Sequence, residues 1–266
     1  MSRHFDSLET RAPEVREREQ FARLAGHIAQ AQANAPYFAA LLKDVNPAAI
    51  RDRAALATLP VTRKSALVEL QKANPPLGGL TAVPPKKLAR IFQSPGPTYD
   101  AEGFGRDWWR LARALFAAGF REGDVLHNTF AYHFTPAGVM LESGAHALGC
   151  AVFPAGVGQT ELQVRAITDV RPTGYSGTPS FLKIILEKGR EMGADLSSLK
   201  RALVAGEALP PPLRADIAAF GLDVYQCYAS ADLGLIGYES EAKDGFIVDE
   251  GLIVEIVRPG TGDPVA

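Results

Sequence analysis

Two stretches decide how this chain folds. The first is Arg201-Ala202-Leu203-Val204-Ala205-Gly206-Glu207-Ala208-Leu209-Pro210; the second is Leu222-Asp223-Val224-Tyr225-Gln226-Cys227-Tyr228-Ala229-Ser230-Ala231-Asp232. Each opens on an apolar run that reads as a buried strand, Arg201 to Ala205 and Leu222 to Gln226. Each then breaks into glycine or polar residues where a parallel sheet presents its carboxyl edge, the edge at which open α/β sheets hold ligands. Gly206 allows close backbone approach. Tyr228 offers a flat ring, and Asp232 a hard oxygen suited to a cation such as magnesium. Together they point to a nucleotide site.

The surrounding sequence repeats the same grammar. Strand candidates at Val125 to Phe130, Ala151 to Pro154 and Thr173 to Tyr175 precede the two decisive ones. Helix candidates at Trp108 to Gly119, Pro136 to Leu148, Glu161 to Val170, Pro179 to Met192 and Pro211 to Phe220 alternate with them. Such alternation predicts βαβ units, hence an α/β fold with a mostly parallel sheet and helices on both faces. Upstream, Phe21, Leu24, Ala25, Ile28 and Ala31 recur at helical spacing and predict a helix over Val15 to Leu42. Thr62 is placed to cap a helix over Arg63 to Gln71. Asn74-Pro75-Pro76-Leu77-Gly78-Gly79 reads as loop, and Leu88 to Phe92 as a short strand. After Asp232 the alternation stops; Phe246 to Val248 and Leu252 to Val257 read as a small β hairpin. The expected organisation is an N-terminal helical and loop segment, residues 1–90, followed by an α/β unit, residues 91–266.

Composition bounds the function. Hydrophobic residues make up 47% of the 266, enough for a substantial core, and charged residues 22%. The net charge of -2 leaves no basic footprint for nucleic acid. No apolar run is long enough to cross a bilayer, and the polar N-terminus lacks the core of a signal peptide, so a soluble cytoplasmic protein is expected. Cys150 and Cys227 lie far apart, without metal-type spacing. There is no HExxH, paired CxxC, Gly-x-Ser-x-Gly or Gly-x-Gly-x-x-Gly signature, which disfavours a zinc enzyme, a hydrolase and a nicotinamide dehydrogenase.

Several strand ends collect site candidates. Tyr132, His133 and Phe134 would wall a pocket for an aromatic or acyl carboxylate; the plain alternative is two core rings and a loop histidine. Thr178-Pro179 is a good helix start, and its amides would also suit a negative ligand. Gly206, Glu207 and Ala208 would bracket a nucleoside. Ser94-Pro95-Gly96-Pro97-Thr98 stands where a phosphate loop would, yet its prolines remove two donors, Asp100 repels phosphate, and no Walker lysine follows.

In order and spacing these segments resemble the phenylacetate-CoA ligase branch of the AMP-forming acyl-CoA synthetases, the adenylate-forming enzymes. The resemblance runs from about Tyr37 to the end. It rests on Leu59-Pro60-Val61-Thr62-Arg63-Lys64, Ser94 to Thr98, Tyr132 to Thr135, Gly177-Thr178-Pro179-Ser180, Gly206 to Pro210, Tyr228 to Asp232, Lys243 to Phe246 and Pro259 to Pro264. It implies that a carboxylate attacks ATP to give an acyl-adenylate, and that coenzyme A then displaces AMP to give a thioester. It further implies that Ser94, Gly96 and Thr98 hold phosphates and that Gly206, Glu207 and Ala208 flank the nucleoside. Gln226, Cys227, Tyr228 and Ala229 would bind the nucleotide, with Tyr228 stacked on adenine. Thr98 and Asp232 would be catalytic, Asp232 through a magnesium ion, and Tyr132, His133 and Phe134 would line the acyl pocket.

The departures are specific. The family loop is close to Ser-Ser-Gly-Thr-Thr-Gly-Lys, and Pro95, Pro97, Tyr99 and Asp100 replace four of its residues. Ala229 and Ala231 stand for a glycine and a hydroxyl residue, and Asp232 for a glutamate one methylene longer. The family's small C-terminal domain with its catalytic lysine is expected to be missing here. The alternative is a non-catalytic descendant that binds an acyl ligand or a protein partner. The expected partners are a small carboxylic acid, ATP and CoA, with no nucleic acid and no membrane; a homodimer stays open beside a monomer.

Overall fold

The computed structural model describes residues 3–260, 263 and 265, so Thr261, Gly262 and Pro264 of the last motif lie outside the described residues. The N-terminal part carries α1 (Pro13–Asn34), α2 (Pro36–Leu41), α3 (Arg53–Ala57) and α4 (Leu67–Ala73). The single helix expected over Val15 to Leu42 is two. Pro36 cannot donate an amide and disfavours helical backbone at Ala35, which is extended at φ -112, ψ 110. Thr62 does not cap; its hydroxyl turns toward the Tyr37 phenol at 3.4 Å, and a 3-10 turn over Lys64–Ala66 leads into α4.

Next comes a hairpin, β1 (Arg90–Ser94) and β2 (Thr98–Glu102), paired antiparallel with Ser94 opposite Thr98. The sequence reading placed a loop where β2 runs. The alternation that marks it is Thr98, Asp100 and Glu102, polar residues on the buried side.

The sheet unit then follows: α5 (Leu111–Ala117), β3 (Val125–Asn128), α6 (Ala137–Leu148), β4 (Ala151–Pro154), α7 (Thr160–Val170), β5 (Gly174–Gly177), α8 (Pro179–Glu191), β6 (Arg201–Val204), α9 (Pro211–Ala218), β7 (Asp223–Ser230), β8 (Gly234–Tyr238) and β9 (Ile247–Val248). The helix expected at Trp108 starts at Leu111, because Asp107 and Arg110 hold left-handed backbone and the Asp107 carboxylate accepts the Ala112 amide at 3.0 Å. The seven strands lie in the order β4-β3-β5-β6-β7-β8-β9. Neighbours from β4 to β7 are parallel; β7 with β8 and β8 with β9 are antiparallel. A small antiparallel hairpin stands near the C-terminal end as expected, but between β8 and β9 and not between Phe246 to Val248 and Leu252 to Val257. Ile247–Val248 pairs with Gly237–Tyr238 instead, and residues 252–256 carry no strand.

The core shows why helices cover both faces. Along β6, Leu203 points into one cluster with Trp109, Leu115, Phe120, Leu126 and Leu141, while Ala202 and Val204 point into the other with Val164, Ile167, Leu182 and Ile185. Thus α5 and α6 cover one face, and α7, α8 and α9 the other. The strand order reverses at β3, so β3 and β5 flank the topological switch point at the carboxyl edge.

His127 of β3 is fully buried. Its Nε2 lies 2.7 Å from Gln163 Oε1, and its ring stacks on Phe153 with centroids 5.3 Å apart. Burial pushes its pKa down to about 4, against a smaller upward pull from Gln163. The unfolded chain, with a histidine pKa of about 6.5, binds a proton that the folded chain refuses. Stability therefore falls as pH drops from about 6.5 toward 4, by about 3 kcal/mol from this ring. Urea unfolding at pH 7 and pH 4.5 should show that loss in the wild type and a smaller one in His127→Gln.

Candidate functional site

Asn128, at the end of β3, organises the carboxyl edge. Its amide nitrogen donates to Tyr132 Oη at 2.9 Å and to the Gly138 carbonyl at 2.8 Å. Its oxygen accepts from Ser176 Oγ at 3.0 Å and from the Phe130 amide at 3.2 Å. One buried side chain thereby joins β3, β5, the 130s loop and the first turn of α6. Next to it Thr129 Oγ1 lies 2.7 Å from the Tyr175 phenol.

The three acyl-pocket candidates separate by environment. Tyr132 lies against Gly138, where an added Cβ would come within 2.9 Å of the ring and 2.7 Å of the Ala131 carbonyl. Burial, and then the nearby Glu142, push its phenol pKa well above the usual tyrosine range, with Asn128 opposing. His133 and Phe134 are exposed. Phe134 holds φ +60, and its carbonyl accepts the Gln93 amide at 2.8 Å, which ties the loop to β1.

At the β5 to α8 turn, Thr178 caps as expected, with Oγ1 accepting from the Phe181 amide. The negative group at this helix start is the protein's own: Glu207 Oε1 accepts the Ser180 amide at 2.7 Å. Gly206 has φ +86, and a Cβ there would sit 3.6 Å from Thr178 and 3.7 Å from Phe130. Gly206 and Ala208 are exposed to solvent at this edge.

On β7, Gln226 is committed to Glu239. Its amide nitrogens, backbone and side chain, donate to that carboxylate at 2.9 and 2.8 Å, and Arg214 donates to it at 2.6 Å. Burial pushes the Cys227 thiol up to about 12, so it is no nucleophile. A bulge falls between Tyr228 and Ala229; Tyr228 lies opposite Gly237 and is 58% exposed.

Tyr228 and Asp232 line one cavity of about 640 Å³ with Lys64, Thr62, Tyr99 and Asp100. Lys64 Nζ lies 2.7 Å from Asp232 Oδ2. Hydrogen bonding to Asp232 raises the Lys64 pKa, with Asp100 and Tyr228 adding to it and burial opposing. Burial raises the Asp100 pKa, which Ser94 opposes and Asp232 reinforces. The phosphate-loop candidates turn inward: Ser94 Oγ donates to Asp100, and Thr98 is buried with an unpartnered hydroxyl. Gly96, at φ +121, is at the open tip.

The structure thus brings Tyr228, Asp232 and the Asp100 side of the hairpin to one cavity, and Gly206, Glu207 and Thr178 to one turn. Gly206 does not line the cavity of Tyr228 and Asp232. The two positions do leave neighbouring strands two residues past the paired Val204 and Gln226. Sequence reasoning assigned no role to Lys64, Asn128 or Gln71. Lys64 lay within the Leu-Pro-Val-Thr-Arg-Lys segment, its only signal.

This is an α/β protein whose candidate site residues lie toward the carboxyl edge of a doubly wound, mostly parallel sheet. Residues 106–266 match the AMP-binding enzyme family, and the chain belongs to that family. Its likeness there is to the phenylacetate-coenzyme A ligases. It is 32% identical to the one from Aromatoleum evansii, over 92% of this chain and 58% of that protein. It is 31% identical to the one from Thermus thermophilus, over 97% and 60%. A crystal structure of 2-hydroxyisobutyryl-CoA ligase in the postadenylation state superposes with a TM-score of 0.89 at 25% identity, covering 100% of this chain and 60% of that one. The chain therefore spans about three fifths of the length of the relatives it matches. Among the described residues no helix is long and apolar enough to cross a membrane.

Asn128→Ala should remove about 2–4 kcal/mol of stability in urea unfolding, because it strands several buried partners at once, whereas Ser176→Ala should cost about 1 kcal/mol.

Proposed function

We propose that this chain is the adenylate-binding part of an AMP-forming acyl-CoA ligase acting on an aryl or acyl carboxylate. The observation that carries the reading is the exposed Tyr228 ring at the carboxyl edge, on the strand paired with the one that leads to Gly206, in a chain of this family. In this reading Tyr228 stacks on adenine, while Gly206, Glu207 and Ala208 flank the nucleoside. The backbone of Gln226, Cys227 and Ala229 shapes the floor, and Ser94, Gly96 and Thr98 approach the phosphates. The exposed His133 and Phe134, with Tyr132 behind them, form the acyl side.

The chemistry asks for little beyond placement. A carboxylate oxygen attacks the α-phosphorus of ATP and pyrophosphate leaves; the thiol of CoA later attacks the acyl carbon and AMP leaves. Negative charge grows on phosphoryl oxygens in the first step, so fixed positive groups and amide dipoles must face it. Among the described residues lining the Tyr228 cavity, Lys64 is the one lysine or arginine. The magnesium ion implied at Asp232 does not fit the arrangement of side chains. The Lys64 ammonium already pairs with that carboxylate, and Asp100, the other carboxylate of the cavity, is bonded by Ser94.

A second reading, a non-catalytic descendant that binds the acyl ligand alone, is favoured by one observation: the Ser94 hydroxyl is bonded inward to Asp100, away from any phosphate.

Thermal unfolding separates the two. A non-hydrolysable acyl-adenylate analogue at a hundredfold excess over its Kd should raise Tm by about 5 °C, and Tyr228→Ala should abolish most of the shift. A shift with the free acid but none with ATP, AMP or the analogue would establish the second reading.

A further inference from the structure

The mismatch at Asp232 has a physical consequence. A divalent cation such as magnesium takes oxygen ligands at about 2.0–2.1 Å in a near-octahedral shell. Lys64 Nζ, 2.7 Å from Asp232 Oδ2, stands inside the space such a shell needs. The second carboxylate of the cavity, Asp100, is 4% exposed, and its Oδ1 has no partner. The cavity therefore carries two carboxylates and one ammonium, which pairs with Asp232 and acts on Asp100 through its charge alone.

Lys64 is held there by more than charge. It opens the 3-10 turn that leads into α4. From α4, Gln71 donates to the Tyr99 carbonyl at 2.8 Å and accepts the Tyr99 amide at 2.7 Å. That side-chain amide pairs with β2 as a strand would, and it fixes the position of α4 against the hairpin that carries Asp100. The ammonium is thus delivered to Asp232 by a folded element docked on the same hairpin.

We propose that Lys64 is the resident cation of this site and takes the place a divalent ion would hold, so that a divalent ion reaches Asp232 only when Lys64 has left. The inference rests on the proposed adenylate-binding reading only for the expectation of a metal at Asp232. It also gives Lys64 a second task, as the positive group that an anionic ligand entering the cavity meets first.

The test uses the full chain and Mn²⁺ alone, followed by calorimetry and by the electron paramagnetic resonance signal of free Mn²⁺. No nucleotide is present, so failure of the nucleotide reading leaves the result intact. The wild type should show no saturable Mn²⁺ binding. Lys64→Met should gain it, tighter by on the order of a hundredfold, because a unit charge a few ångströms away no longer opposes the ion. Lys64→Arg should behave as the wild type, and adding Asp232→Asn to Lys64→Met should abolish the gain. Saturable wild-type binding that Asp232→Asn removes would overturn the proposal, as would Lys64→Met binding no better than the wild type. Circular dichroism reports whether each variant folds. Should Lys64→Met not fold, Lys64→Gln replaces it with the same expected and overturning outcomes, and binding in the wild type that Asp232→Asn removes refutes the proposal in either case.

Discussion

Asn128 has two amide hydrogens and a carbonyl oxygen with two lone pairs, and all of them are used inside the protein. The backbone pairs β3 with β5 as far as Ser176, whose carbonyl accepts the Thr129 amide at 2.8 Å. The Asn128 side chain extends that link to the 130s loop and to the first turn of α6. The 130s loop, with its three aromatic or imidazole side chains, is therefore set by a residue that none of them resembles. A buried polar group in this position is costly unless satisfied and rigid when it is. The edge owes its definition to that condition.

The other end of the sheet is fixed by charge. Glu239, nearly fully buried, takes Arg214 from α9 and both nitrogens of Gln226. That carboxylate locks antiparallel β8 to β7 just before the bulge that turns Tyr228 outward. The sheet is thus parallel and apolar at its centre, where helices cover it. It becomes antiparallel and ion-paired where it leaves the helical layers. The candidate site lies at the junction of the two regimes, which explains why its side chains differ so widely in exposure within a few residues.

The parallel half of the fold was legible because its code is local. Ala151–Pro154 and Pro179–Glu191 announce themselves by an apolar run and by a Thr-Pro start. Strand β8 was not legible: the alternation stops after Asp232, and Gly234-Leu235-Ile236-Gly237-Tyr238, with two glycines in five residues, was assigned no element. At Gly237 an added methyl would crowd Phe246, whose Cβ would lie 3.1 Å from it. Strand β2 was hidden by its buried acids, Asp100 and Glu102, which contradict the usual sense of the alternation. Arg90 answers Glu102 with two bonds, and Ser94 answers Asp100. At the site, Tyr228 and Asp232 were visible as a pair within one segment. Lys64 was not, because its partner lies 168 residues away and only tertiary packing unites them. Long-range ion pairs leave no periodic trace in a sequence.

The two ends of the chain are laced together. Arg11 donates to Glu250 across 239 residues, Arg16 to the carbonyls of Val248 and Asp249, and Gln20 to those of Glu250 and Leu252. Arg113 of α5 grips Asp6 and Glu9 from the middle. On a ribosome the first helix emerges long before its acceptors exist. Its arginine and glutamine stay hydrated until residues 248–252 have followed. A segment whose partners lie more than two hundred residues along the chain docks only once the strands between them are in place, so α1 closes over the sheet late in folding.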